Sequence, residues 1–155
     1  MKKLLTLALL LGLSIAVNAQ DWKLSLDNAK SVASKENKDI VLVFAGSDWC
    51  GPCIKLEKNI WESEVFQKAA KESWVMLKAD FPRKKANRLS KEQTQENEKL
   101  AEKYNPNGYF PLVLVLNVSG KVLGTTGFKD ITPAEYITHL QSMVRYYHSH
   151  ITLNR

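Results

Sequence analysis

Apolar residues along this chain fall into two spacings, and each change of spacing marks a change of predicted element. In "DWKLSLDNAKSVASKENKD", Trp22, Leu26, Ala29, Val32 and Ala33 recur at helical intervals, with Ser25 or Asp27 placed to cap the helix. "DIVLVFAG", residues 39–46, is instead a continuous run rich in β-branched residues, the pattern of a strand covered on both faces. Ile54, Leu56, Ile60 and Trp61 then resume a helical period, so the chain passes from strand to helix close to residue 50. Ser63 followed by "EVFQKAAKE" predicts another capped helix, and "SWVMLKADF" a second buried strand. Residues 82–93 are polar and basic without a period; they read as a solvated loop, with a docking patch for an acidic partner as the alternative. "TQENEKLAEKY" predicts a helix ended by "NPNG", and "FPLVLVLNVSGKVLGTTG" two strands joined by a turn at Ser119 and Gly120. Thr132-Pro133-Ala134-Glu135 forms a capping box. The last helix it opens carries Tyr136, Ile137, Leu140, Met143, Val144 and Tyr147 on its apolar side, and residues from about 148 to 155 read as a short flexible tail. Helices and strands in this order predict an α/β fold, a central mixed sheet flanked by helices on both faces.

The first nineteen residues do not share this pattern. Lys2 and Lys3 precede a nearly continuous apolar run from Leu4 to Val17, and Val17-Asn18-Ala19 offers small residues at a cleavage site. That is the layout of a cleavable signal peptide over residues 1–19, too short and wrongly flanked for a membrane span; an uncleaved anchor is the alternative. Gln20 stands where a lipoprotein would carry cysteine. Residues 20–155 then form one domain, expected to be periplasmic or secreted and monomeric. Removing the leader takes two lysines and no acid, so the formal charge falls from +6 to +4. Such a mild excess does not argue for nucleic acid.

Export changes the meaning of the cysteines. The chain has two, Cys50 and Cys53, at the predicted strand-to-helix junction. Two thiols at this spacing can be a structural crosslink, half of a metal site or a redox couple. A bridge closing so small a loop restricts the unfolded chain little. Zinc needs four ligands, and His139, His148 and His150 all fall in the last helix or the tail. Redox use fits the position best. A cysteine capping a helix faces unpaired N–H groups and the positive end of the dipole, which favours thiolate and makes Cys50 the nucleophile. Cys53, one turn on, suits the resolving thiol, and Pro52 sits where its missing N–H costs nothing. The expected chemistry is thiol–disulfide exchange, with no cofactor beyond the Cys50–Cys53 disulfide and no metal.

"DWCGPC" after a buried strand, with "GYFPLVLVL" downstream, resembles the thioredoxin family, and the resemblance runs roughly from Trp22 to Tyr147. It implies the thioredoxin fold and a cis proline at Pro111, after Phe110, beside the active-site sulfurs. Trp49, Gly51, Pro52, Phe110 and Pro111 would line the substrate groove, whereas Trp22, Trp61 and Trp74 read as core residues. In cytosolic thioredoxins a buried aspartate lies beneath the resolving cysteine. Counting back from the cysteines, that position falls on Phe44, which cannot move a proton; Asp48 and Glu57 are the candidates for proton transfer, the alternative being exposed carboxylates with no role. The connection from Asp80 to Pro111 is longer than in a compact thioredoxin. Gly51-Pro52 is similar to the reducing members, which implies a reductase of disulfides in exported proteins, recharged by a membrane thiol–disulfide electron donor. A disulfide oxidase or isomerase, or a binding module with secondary redox activity, is the alternative. Asn117-Val118-Ser119 fits a glycosylation sequon but reads as a turn entry.

Overall fold

The computed structural model describes residues 20–153; the expected signal peptide lies outside the described residues. The elements are β1 (Trp22–Lys23), α1 (Leu26–Glu36), β2 (Asp39–Ala45), α2 (Gly51–Leu56), which continues as a π-helical turn (Glu57–Trp61), α3 (Glu64–Ser73), β3 (Trp74–Asp80), α4 (Lys91–Tyr104), β4 (Leu112–Leu116), β5 (Val122–Thr126) and α5 (Pro133–Leu153). The strands form one sheet in the order β1-β3-β2-β4-β5. β1, β3 and β2 run parallel, and β4 and β5 are antiparallel to their neighbours.

Both faces of the sheet are covered, which is why the central strands read as unbroken apolar runs. Alternation along β2 sends Val41, Val43 and Ala45 to one face, where they pack with Cys53 and Leu56 of α2, Phe66 of α3 and Tyr136 and Leu140 of α5. Ile40, Leu42 and Phe44 go to the other, against Ala29 and Ala33 of α1 and Leu100 of α4. The reactive helix α2 therefore shares a layer with α3 and α5. Among the described residues no helix is long and apolar enough to cross a membrane.

Helix starts follow the expected chemistry. Ser25 accepts from the Asn28 N–H, Ser63 from the Phe66 N–H, and Thr132 and Glu135 cap one another as a box. The Asn117 side chain accepts from the N–H groups of Ser119 and Lys121, closing the turn at Gly120, whose φ of 86° suits glycine.

Three boundaries differ from expectation. Trp22 belongs to a two-residue strand paired with Met76–Leu77 and not to the first helix; so short a strand has no period to read. The segment 82–93 is less of a loop than expected: residues 85–87 make a 3-10 turn, and Ser90 caps α4, accepting from the Gln93 N–H at 3.1 Å. Finally, α5 continues to Leu153, so His148 and His150 lie on a helix where a tail was expected.

Candidate active site

β2 ends at Ala45, and five residues carry the chain from there to α2. In that junction the N–H groups of Trp49 and Cys50 both donate to the Gly46 carbonyl, at 3.2 and 2.9 Å, forming a tight turn. Cys50 emerges as the cap of α2, its Sγ accepting from the Cys53 N–H at 3.3 Å. The two sulfurs form a disulfide, Cα atoms 5.2 Å apart, and Cys53 Sγ is also 3.5 Å from the Gly46 N–H. Gly51 and Pro52 are exposed above them. Each cysteine is only 5% exposed, so burial does not distinguish the two thiols; the cap position does.

Gly46 leaves room for a ring. A Cβ there would lie 2.3 Å from Cε2 of Trp49. Gly46→Ala is therefore expected to drive Trp49 outward and cost about 1–3 kcal/mol as an overpacked site, read as a lower denaturant midpoint at unchanged slope.

Trp49 is held from three sides. Its Nε1 donates to the Phe81 carbonyl at 2.7 Å, its ring meets Phe110 edge-on at 5.3 Å, and the Arg83 guanidinium lies 3.8 Å over its centroid. Phe81 also meets Phe110, at 5.5 Å. The Phe110–Pro111 bond is cis, as the resemblance implied. Trp49 and Phe110 are thus in contact, and Pro111 follows directly. Just before them, buried Asn105 grips the main chain of Tyr109 twice, donating to its carbonyl and accepting from its N–H, both at 2.8 Å. The Tyr109 side chain is 61% exposed.

Both candidate carboxylates are engaged by partners from distant parts of the chain. Asp48 accepts from the N–H groups of Arg83 and Lys84 and from Asn87 Nδ2, each at 2.9 Å. The Arg83 N–H is the chief reason its carboxyl is held below the usual carboxylate range. Asp48 is therefore a tie between the thiol junction and the basic segment. Glu57 stands four residues after Cys53 and accepts from Lys78 Nζ at 2.7 and 3.0 Å; Lys78 also lies 4.1 Å over the Trp22 ring. Neither carboxylate is without a partner.

Phe44 does not occupy the place inferred for it. Its side chain lies on the face opposite the cysteines, among Ala29, Leu77 and Leu114. On β2 the cysteine face holds Val41, Val43 and Ala45; Val43 and Ala45 flank Phe44, and Val43 has Lys78 across the strand pair. Counting back from the cysteines fails by one residue at the junction, and a one-residue slip on a strand exchanges its faces.

Sequence reasoning missed Asp80, Lys78, Asn105 and Arg83. Asp80, at the end of β3, accepts from the Ser47 N–H at 2.9 Å and its hydroxyl at 2.5 Å, fixing the junction from below. Lys78 was visible as the lone cation in the buried run "WVMLKAD", a pattern that calls for a carboxylate partner. Of the histidines, His139 pairs with the Thr126 hydroxyl at 2.9 Å, and burial lowers its pKa. Among the described residues no three His, Cys, Asp or Glu side chains are grouped to hold a metal ion.

Residues 21–117 match the family model described as thioredoxin-like. The chain is 35% identical over 130 residues to the disulfide bond reductase DsbH of Chlamydia pneumoniae, covering 84% of this chain and 75% of that protein. Among solved structures, the DsbH oxidoreductase superposes with a TM-score of 0.76 at 32% identity, over 85% of this chain and 89% of that one. The oxidised C-terminal domain of DsbD from Neisseria meningitidis gives a TM-score of 0.53 at 20% identity, over 75% of this chain and 90% of its own, a likeness of fold.

Proposed function

The chain belongs to the thioredoxin-like family, has the thioredoxin fold and is a thiol–disulfide oxidoreductase, and on that premise we propose that it reduces disulfides of exported proteins. The carrying observation is Cys50 at the cap of α2 with its sulfur accepting the Cys53 N–H. Opening the internal disulfide leaves that N–H and the first-turn dipole to stabilise a Cys50 thiolate. The thiolate attacks one sulfur of a substrate disulfide, forming a mixed disulfide and releasing one substrate thiolate, which takes a proton. Cys53, deprotonated, then attacks Cys50 Sγ. The mixed disulfide breaks, the second substrate thiol leaves, and Cys50–Cys53 is restored, two electrons having passed to the substrate.

We assign the Cys53 proton to Glu57, four residues beyond Cys53 in the chain and held by Lys78; a base there is what the resolving step needs. Asp48 is already committed to the segment beside it. Trp49, Gly51 and Pro52 adjoin the cysteines along the chain; with Phe110, whose ring meets Trp49, and Pro111 after it, they form the substrate surface. Residues 1–19 serve as the signal peptide, so the protein works in the periplasm or outside the cell as a monomer. A membrane thiol–disulfide donor returns it to the dithiol form, because an oxidising compartment does not.

The reducing direction is favoured by Gly51-Pro52 and by the reductase named among the relatives. Equilibrating the protein with dithiothreitol and glutathione buffers tests it. A potential near thioredoxin's, about −270 mV, is expected. One at or above about −180 mV, the range of disulfide isomerases, would overturn the reductase reading and make the protein an oxidant or isomerase.

A further inference from the structure

Residues 83–91 hold five cations, Arg83, Lys84, Lys85, Arg88 and Lys91, and no acid. All five are exposed, and among the described residues none joins an ion pair. Asp48 ties this segment down through main-chain N–H groups and Asn87, so it offsets one charge without engaging any cationic head group. The segment is also fixed at its far end. Asn97 of α4 donates to the Asp80 carbonyl at 2.7 Å and accepts from Gln93 at 2.8 Å. Between the two anchors runs an open groove of about 570 Å³, floored by Phe81, Pro82 and Leu89 and bordered by Arg88 and Lys91. Asp80 and Glu98 line it too; Asp80 is turned to Ser47, which leaves Glu98 as the acid facing the cations.

This groove continues the thiol site. Phe81 meets Phe110, Phe110 meets Trp49, and Arg83 covers the Trp49 ring beside Cys50. A polypeptide whose disulfide reaches Cys50 must leave the site past some of these rings. We propose that segment 83–91 is the docking rim for an extended acidic stretch of the substrate protein, with Asp or Glu residues flanking the reacting disulfide. The inference rests on the reductase reading and adds a substrate class to it. The apolar floor takes the side chains between the acids, and the cations raise the local concentration of the acidic chain.

The test uses two disulfide peptides identical except for glutamates or lysines beside the cysteines. The reduced protein is expected to react roughly ten- to thirtyfold faster with the glutamate peptide at low salt. The preference should collapse toward unity at about 0.3 M salt, where the screening length falls to roughly 5–6 Å. A triple variant, Lys84→Ser with Lys85→Ser and Arg88→Ser, keeps every N–H that Asp48 uses. It should lose the preference yet reduce hydroxyethyl disulfide, small and neutral, at the wild-type rate. Arg88→Ser alone, outside the Asp48 contacts, should lose part of it, about threefold.

Equal rates on the two peptides at low salt, a preference indifferent to salt, or one that survives in the triple variant would overturn the rim. Binding of a glutamate peptide with serines for its cysteines, followed by fluorescence anisotropy, separates this from the reductase reading. A protein that reduces nothing but binds that peptide in a salt-sensitive way keeps the rim and loses the reductase. Binding to phosphatidylglycerol vesicles without any peptide preference would overturn the proposal and assign the cations to a membrane surface.

Discussion

Cys50→Ser is expected to abolish reduction of insulin, a loss of at least roughly a thousandfold, with the fold retained. Serine keeps the cap, since its hydroxyl accepts the same N–H that Cys50 Sγ accepts now. What it lacks is a sulfur nucleophile at the helix cap, and the remaining thiol, Cys53, does not hold that position. Cys53→Ser should behave differently. The first attack survives, the second cannot occur, and the protein accumulates as a mixed disulfide on Cys50, visible as an adduct in non-reducing mass spectra. If Cys53→Ser turns over like wild type, or if the adduct forms on Cys53 in Cys50→Ser, the assignment of nucleophile and resolving thiol is reversed or wrong.

Trp61→Ala is expected to cost about 3–5 kcal/mol, a large share of the roughly 5–15 kcal/mol that holds such a domain together. The ring is 1% exposed and is met by Trp22 at 6.2 Å, Phe66 at 4.6 Å and Tyr136 at 5.3 Å, all edge-on. Those partners come from β1, α3 and α5, so one side chain joins three elements to the end of the cysteine helix. Tyr136 cannot move to fill the space cheaply. Its hydroxyl donates to the Gly127 carbonyl at 2.8 Å, and burial pushes the phenol far above its ordinary pKa, keeping that donor protonated. Urea unfolding of the oxidised proteins checks it: a midpoint shift worth less than about 1.5 kcal/mol would mean that the cluster repacks.

How much was legible in advance depended on whether a signal was local. β2, β3 and β4 were readable because strands covered on both faces leave continuous apolar runs. Ser25, Ser63 and Thr132 with Glu135 were readable because a cap is written within four residues. The thiol pair was plain, since spacing and position carry the chemistry. What escaped depends on chain folded back from elsewhere. The Asp48 tie spans more than thirty residues and uses mostly main-chain donors, which leave no mark in the sequence. The face assigned to Phe44 was wrong because it rested on a count through a turn whose length could not be seen. The π-helical turn after α2, where the Glu62 N–H reaches back to the Glu57 carbonyl, buries Ile60 and Trp61 together; the sequence shows their apolar character but not the widened turn.

Asn105 has a consequence for how such a protein diversifies. It holds the N–H and the carbonyl of Tyr109 from within the fold, whatever side chain that residue carries. Position 109 is thereby a fixed socket with an interchangeable fitting, next to Phe110 and the cis proline that follows it. Single codon changes there exchange an exposed side chain while the loop geometry is expected to stay as it is, so this position is open to variation at little structural risk.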